Sequence, residues 1–336
     1  MQPDLSIVIV AYRCRDALAD CLASIQSHSG PLATETIVVD NASGDGTAEM
    51  VRERFGWVRL ISNARNRGFA AANNQGLVLA SGRNVLFLNP DTVVHAGALE
   101  VLVRALDGDP HLGACGPQLL SADGSIQPSA RRFPTFAALL HQYTPLRALK
   151  FLKGAYRRYK MADFDFRTPA DVDSLMGAAL CVPQRVLTEV GVMDERFFVY
   201  LEEVDLCRRI HEAGYRIRFE PSGRLTHLGG VSAASSLRSR SGCFGGVGSA
   251  TANVLFCRSL FRYLRKHGGP FRGAAMAFVL RLGMFLREAA LLVGNLIAAL
   301  VLLLVGRTAR AQRRLAGAAS AARFLCRDGW LTFLKA

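Results

Sequence analysis

The apolar positions of the first ninety residues fall into short runs separated by longer mixed stretches. LSIVIVAY (Leu5 to Tyr12) is apolar on both alternating faces and rich in Val and Ile, the pattern of a strand buried on both sides. Residues 14–28 carry helical spacing. ETIVVDN (Glu35 to Asn41) predicts a second strand, ended by the turn-forming ASGDGT, and a helix through Arg54 follows. VRLISN (Val58 to Asn63) reads as a strand, GFAAANNQGLVLA (Gly68 to Ala80) as a helix, and NVLFLNPD (Asn84 to Asp91) as a deep strand. Strands alternating with helices at this spacing predict a mostly parallel, Rossmann-like α/β sheet with helices on both faces. In such sheets ligands bind beyond the carboxyl ends of the strands, which directs attention to Tyr12, Arg13, Asp40, Asn41 and Asp91.

The pattern changes after residue 120. Residues 121–170 contain Pro128, Pro134 and Pro145 and a basic stretch with Arg147, Lys150, Lys153, Arg157, Arg158 and Lys160, which predicts a helical or irregular insertion. This face is either solvated surface or a contact for an acceptor or a membrane. Residues 171–245 return to strand and helix patterns, and SAASSLRSRSG (Ser232 to Gly242) reads as a mobile loop. The chain thus divides into a first half (1–120), the insertion (121–170), a second half (171–245) and a helical tail (246–336). In the tail, Ala289 to Val305 is 17 residues without a charge, at the short end for a membrane span. Three placements fit it: an interfacial helix pair, a true span, or a helix buried in a soluble domain.

Charge sharpens that division. The net charge is +14; residues 1–257 are nearly balanced, and residues 258–336 carry 14 Lys/Arg against only Glu288 and Asp328. A basic, apolar tail suits an anionic membrane surface. It is poor in aromatics for stacking on bases, so a nucleic-acid partner is not expected. The eight cysteines form no C-x-x-C pair and no zinc-finger spacing, which predicts buried thiols in a reducing compartment. The start, MQPDLSIVIVAYR, has neither a basic leader region nor a long apolar one, so the bulk of the chain is expected in the cytoplasm.

Several acids stand where chemistry is possible. Asp40 ends a buried strand, where it either accepts a hydrogen bond from a pyrimidine base or serves a turn and a helix cap; Asp45 is turn chemistry. Asp91, in LFLNPDT, is placed to hold Mg²⁺ or Mn²⁺ or else to cap the next helix. Asp194 to Arg209, DERFFVYLEEVDLCRR, gathers acids among bulky apolar residues, with Glu202, Glu203 and Asp205 at its centre. A buried carboxylate there can act as general base; the alternative is helix-dipole complementarity. His227, in RLTHLGGVS, is either a metal or phosphate ligand or a structural histidine.

These motifs occur together and in order: SIVIVAYR, VVDNASGDGT, NRGFAAANNQG, LFLNPDT, GAALCVPQ, GVMDERFFVYLEEVDLCRR and HLGGVS. From about Leu5 to Ser232 the sequence resembles family 2 glycosyltransferases of the GT-A nucleotide-diphosphosugar fold, and within them the bacterial rhamnosyltransferase-like branch. The resemblance implies transfer of a sugar, best L-rhamnose from dTDP-L-rhamnose, to a cell-surface or lipid-linked glycan with inversion, at the cytoplasmic face of the inner membrane. It implies that Ala11, Tyr12 and Arg13 line the nucleotide and that Asp40, beside Asn41, reads the pyrimidine. Asn66, Gly68 and Asn74 match the segment under diphosphate and ribose. Gly177 and Ala178 match the turn beside the donor sugar. Asp91 matches the last acid of the metal-binding D-x-D, which here reads Asn89-Pro90-Asp91 and so retains one carboxylate; His227 matches a histidine of the metal or phosphate site. Glu202 and Glu203 match an E-D pair whose second acid is the base, with Asp205 able to share its work. The loop after His227 is implied as a cover over the donor. Rival readings are a UDP-hexose or UDP-galactofuranose donor, and a non-catalytic scaffold with the same fold. A dinucleotide oxidoreductase is excluded because AYRCRDA lacks the G-x-G-x-x-G turn. A processive synthase is not expected, since a single marginal apolar segment cannot form a polymer channel.

Overall fold

The computed structural model describes residues 2–229 and 250–323 together with Leu325. Its first elements follow the apolar pattern: β1 (Leu5–Ala11), α1 (Arg15–His28), β2 (Thr34–Asp40), α2 (Thr47–Arg54), β3 (Arg59–Ser62), α3 (Phe69–Leu79) and β4 (Asn84–Leu88). After these come β5 (Thr92–Val94), α4 (Ala98–Asp107), β6 (Leu112–Leu120), and the short β7 (Ile126–Gln127) and β8 (Ala130–Arg131). Helices α5 (Phe136–Tyr143) and α6 (Lys150–Lys160) flank a single 3-10 turn at Pro145–Ala148. The chain then forms β9 (Ala170–Val172), β10 (Ser174–Leu175), β11 (Ala179–Pro183), α7 (Gln184–Val190), α8 (Glu202–Glu212) and β12 (Arg216–His227). Three helices follow: α9 (Ala250–Gly268), α10 (Pro270–Leu304) and α11 (Thr308–Arg323).

These elements make two compact units, taken over their described residues: Met1–Phe133 with Lys160–Ser235, and Pro134–Tyr159 with Ser236–Ala336. In the first, the main sheet runs β3-β2-β1-β4-β11-β6-β12-β5. β3, β2, β1 and β4 are parallel, in the register Ala11 to Asp40 and Ile9 to Leu88. β1 shows why its pattern lacks alternation: Leu5, Ile7, Ile9 and Ala11 pack on one face with α1, α2 and α4, and Val8 on the other with α3, α7 and α8. β4 repeats this, with Leu86 and Leu88 on the first face and Val85 and Phe87 on the second. A fully buried side chain of this size contributes about 1.5–3 kcal/mol, so the double coverage supplies the core. α3 sits so close to the sheet that a Cβ on Gly76 would lie 2.4 Å from a methyl of Val8.

Two strands of that order, β11 and the edge strand β5, run against the rest. β11 runs antiparallel to β4, pairing Ala179 with Leu88. The reversal carries the turn before β11, Gly177-Ala178, to the carboxyl end of β4. Six described cysteines, at 14, 21, 115, 181, 207 and 257, are buried and free, and burial pushes the Cys21 and Cys207 thiols up to about 12.

The second unit is helical. Thr135 caps α5, its hydroxyl accepting from Ala138 N at 3.2 Å, and Gly283 of α10 meets Thr144 so closely that a Cβ would lie 2.4 Å from its methyl. The uncharged stretch Ala289–Val305 is not a helix of its own. It is the second half of the 35-residue α10, which Pro270 starts and Gly306, at φ +70°, follows. α10 is long and apolar enough to cross a membrane, and only 11% of its most apolar window is buried. Leu300 is 60% and Leu304 78% exposed, which removes the reading of this segment as a buried core helix. The Ser232–Gly242 loop and the cover role assigned to it lie outside the described residues.

Candidate active site

The carboxyl ends of β1, β2 and β4 meet the starts of β11 and α8. At the end of β1, Tyr12 is half-buried, and Arg13 takes a left-handed φ of +53° with its guanidinium 5.3 Å over the Tyr12 ring. Ala11 O accepts from Asn41 N at 2.8 Å, and Arg13 N donates to Ser43 Oγ at 3.1 Å, so the β1 and β2 ends are tied. Asp40 is buried, and its Oδ1 accepts from Ser43 N at 3.1 Å. It does not cap α2, whose N-cap is Gly46. Asp45 is turn chemistry, accepting from the amide of Thr47 at 3.2 Å.

Three asparagines expected at the donor, Asn41, Asn66 and Asn74, bond within the protein itself. Asn41 Nδ2 donates to Asn66 Oδ1 at 3.0 Å and to Gly68 O at 3.2 Å, and its Oδ1 accepts from Asn63 Nδ2 and Arg67 N. That uses the whole amide. Asn66 Oδ1 also accepts from Gly68 N at 2.9 Å. Asn74 Nδ2 donates to Met193 O at 2.8 Å and Glu195 Oε1 at 3.1 Å, and its Oδ1 accepts from Met193 N. It therefore fastens α3 to the acidic segment. Gly68, at φ +88°, is required twice over. A Cβ there would lie 2.5 Å from Phe198 O, and the next amide, Phe69 N, donates to that same oxygen at 2.6 Å.

Phe198 leads into a strained turn. Tyr200 and Leu201 both have left-handed φ, +72° and +68°, unusual for large side chains. The turn delivers Glu202 and Glu203 to the first positions of α8, which has no side-chain cap. Glu202 is buried with Oε2 unpartnered, and burial, then the neighbouring Glu203, lifts its carboxyl well above the usual range. Burial also raises Glu203, partly opposed by backbone amides of the helix start. Gly177 lies against Glu203: a Cβ at 177 would stand 3.4 Å from its Cβ and Cγ. Asp205, expected to share the base's work, is placed otherwise. Its buried carboxylate accepts from Arg209 Nε at 3.0 Å, and the same guanidinium donates to the carbonyls of Val190, Gly191 and Val192. A charge-paired carboxylate that clamps a turn is not a free base.

At the end of β4, Asn89 N donates to Ala178 O at 2.9 Å, which joins the β11 turn to the N-P-D segment. Asp91 is buried and does not cap a helix; β5 follows it, and α4 starts only after Gly97. Its Oδ1 lies 3.5 Å from His227 Nε2, and its carbonyl accepts from Leu228 N. His227 is clasped by Gln127. Gln127 Nε2 donates to His227 O at 2.7 Å, which leaves its Oε1 facing His227 Nδ1 at 3.0 Å. An amide oxygen only accepts, so the neutral ring carries its proton on Nδ1 and presents the Nε2 lone pair, whereas the protonated ring donates from Nε2 toward Asp91. Nε2 faces Asp91 and, at 3.4 Å, Asn89 Nδ2. The carboxylate oxygen and an unprotonated imidazole nitrogen, 3.5 Å apart, would suit Mn²⁺ better than Mg²⁺, which prefers oxygen alone. Among the described residues no group of three or more His, Cys, Asp or Glu stands where it could hold a metal ion.

Two residues here escaped the sequence reading. Gln127 lies 100 residues from His227 in an irregular segment and left no local signal. Arg209 had one, its i,i+4 spacing from Asp205 on a helix.

The fold and the order of its motifs are shared with known proteins. The family model described as Glycosyl transferase family 2 matches residues 6–164. An N-acetylglucosaminyl-diphospho-decaprenol L-rhamnosyltransferase of Mycobacterium tuberculosis is 31% identical over 243 residues, covering 66% of this chain and 75% of its own length. A low-salt glycan biosynthesis hexosyltransferase of Haloferax volcanii is 24% identical, covering 65% and 64%. Among solved structures, a mannosyltransferase of Pyrobaculum calidifontis in complex with GDP-Man and Mn²⁺ aligns over 100% of this chain and 88% of its own, with TM-score 0.57 and 18% identity. GalNAc-T7 with UDP, GalNAc and Mn²⁺ aligns over 67% of this chain, which spans 43% of that structure, with TM-score 0.53 and 18% identity. The GT-A fold, the ordered motifs and the mycobacterial relative agree, and the chain belongs to the family 2 glycosyltransferases.

Proposed function

We propose that the protein transfers L-rhamnose from dTDP-L-rhamnose, with inversion, to a lipid-linked saccharide at the cytoplasmic face of a membrane, where its C-terminal helices hold it. The observation that carries this reading is the continuous link from the Asp91–His227 pair through Asn89 and Ala178 to Gly177 and Glu203. A leaving-group end and a base end are thereby set on opposite sides of one small-residue turn. The rhamnose assignment rests on the mycobacterial relative, which is named for that sugar and for a lipid diphosphate acceptor.

Asp91 Oδ1 and His227 Nε2 would hold a divalent cation, with donor phosphate oxygens and water completing its shell. That cation supplies charge neutralisation for a departing diphosphate. Asp40, at the end of β2, accepts from the thymine N3–H, and Tyr12 and Arg13 line the nucleotide. Asn66 and Gly68 shape the loop beneath the diphosphate, while Asn41 acts only through that loop. Gly177 and Ala178 leave room for the sugar ring. Glu203 takes the proton of the acceptor hydroxyl as that oxygen bonds to the anomeric carbon and the bond from that carbon to the phosphate oxygen breaks, releasing dTDP. A β-linked donor then gives an α-linked product. Glu202 is buried and Glu203 half-buried, and burial raises the proton affinity of both.

A donor screen by thermal shift tests this. The full chain in detergent with Mn²⁺ is mixed separately with dTDP-L-rhamnose, UDP-glucose, UDP-galactose, UDP-N-acetylglucosamine and UDP-galactofuranose. A donor at 100 times its Kd stabilises the fold by about 2.7 kcal/mol. The expected result is stabilisation by dTDP-L-rhamnose alone, dependent on Mn²⁺ and lost in Asp91→Ala. Stabilisation by a UDP-sugar instead would replace the donor, and a donor that binds without turnover would point to a scaffold.

A further inference from the structure

The second unit holds a cavity of about 660 Å³ between α10 and α11. Arg287 and Glu288 of α10 line it, with Arg310, Arg313 and Arg314 of α11 opposite. The α11 arginines stand at i, i+3 and i+4, so they share one face and repel one another. α11, TARAQRRLAGAASAAR, contains no acid to relieve that repulsion. Among the described residues, no hydrogen bond or ion pair engages the side chains of Arg287, Arg310 or Arg313, and Arg287 Nη1 is buried without a partner. Glu288, the single acid of the lining, is buried and already engaged.

The cavity is held open by a specific contact. Arg314 Nη1 donates to Asn295 Oδ1 at 3.3 Å, and a Cβ on Gly317 would lie 3.1 Å from Asn295 Nδ2, so the two helices meet there. Leu291 and Leu302 complete the wall, and the flanking face of α10 exposes Ile297, Leu300 and Val301. Guanidinium groups match phosphate geometry in pairs and are the usual choice for it. The lining has no aromatic ring on which a nucleic-acid base could stack.

We propose that this cavity binds the phosphate or diphosphate head of a membrane amphiphile, whose apolar chain lies along the exposed face of α10. Its ligand is the diphosphate of the lipid-linked acceptor, an identification that rests on the function proposed above. Four arginines against one engaged acid leave an excess positive charge that a diphosphate neutralises. The apolar flank explains why the site sits on this helix and not on the basic but shorter α6.

The test is vesicle flotation of the full chain. Phosphatidylcholine vesicles carry a polyprenyl diphosphate saccharide, or phosphatidylglycerol at equal surface charge, or neither. Two variants are compared with the natural chain: Arg310→Gln/Arg313→Gln/Arg314→Gln, and the charge-conserving Arg310→Lys/Arg313→Lys/Arg314→Lys. These side chains are exposed, and stabilisation by dTDP-L-rhamnose is expected to be unchanged in both. The glutamine variant is expected to bind diphosphate vesicles roughly ten- to a hundredfold more weakly, and the lysine variant to lose part of that. Equal binding of the natural chain and the lysine variant to every charged vesicle would reduce the site to general electrostatics and overturn it, as would unchanged binding by the glutamine variant. Tight, arginine-dependent binding to phosphatidylglycerol as well would keep the site and make its ligand a bilayer head group. Failure of the natural chain to bind any nucleotide sugar of the donor screen would sink the enzymatic reading and leave the phosphate site itself standing.

Discussion

The two ends of the active site are built in opposite ways. Around His227 the polar groups are matched: Gln127 holds both its carbonyl and its Nδ1, Asn89 bonds Ala178, and Leu228 bonds Asp91. Around Glu202 and Glu203 burial runs ahead of partnering, with a carboxylate oxygen left without a hydrogen bond and two strained residues at the helix start. Under the function proposed above, the contrast separates two tasks. A binding end profits from groups fixed in advance, whereas a proton-transfer end profits from a carboxylate whose charged form is disfavoured. Asp205 shows that burial alone does not produce the second condition, because Arg209 satisfies it within the same helix.

The largest expected effect removes the base and leaves the binding end alone. Glu203→Gln should cut kcat by about 10²–10⁴-fold with unchanged stabilisation by donor and Mn²⁺; loss of donor binding as well would show that the two ends are one cluster. Arg209→Met strips the partner from Asp205 and should cost about 3–5 kcal/mol in a urea melt, since a buried charge is left uncompensated. Gln127→Leu frees the His227 ring and should weaken Mn²⁺ binding about 10–100-fold in a titration followed by electron paramagnetic resonance; an unchanged affinity would remove His227 from the metal end. The smallest effects are in pH. Because burial raises Glu203, kcat should climb with pH through a value above the ordinary carboxylate range and fall below it. Glu202 is lifted on folding, so between its unfolded and folded values the native state binds more protons. Stability therefore falls as pH rises across that window and is recovered in acid. Glu202→Gln keeps the shape without the charge, and its Tm should exceed that of the natural chain by a few degrees above the window and converge with it at low pH.

The parallel half of the sheet was legible because each strand is a continuous apolar run and each helix follows at the spacing a crossover needs. Asp91, His227 and Glu203 belong to ordered motifs, and the fold brings Asp91 and His227 together as that order implies. The roles of Asn41 and Asn74 were not, since an asparagine in a motif looks the same whether it faces a ligand or a distant backbone. Asn74 meets Met193 across 119 residues, a pairing no local pattern encodes. The antiparallel entry of β11 was also hidden; GAALCVP has the apolar run of a buried strand, and direction is set by the sheet it joins. Exposure narrowed the three placements of the tail, because composition alone allows Ala289–Val305 to be a core helix and only its surroundings show that it is uncovered.

The packing of Thr144 against Gly283 has a consequence in time. About 140 residues separate these partners, so at about 5–20 residues per second α5 leaves the ribosome roughly 10–30 s before α10 exists to cover it. The sheet, whose β1, β2 and β4 lie within the first 88 residues, can begin to assemble in that interval. Synthesis therefore delivers the leading strands of the sheet well before the helical unit is complete, and the late arrival of α10 sets the moment at which Thr144 gains its partner.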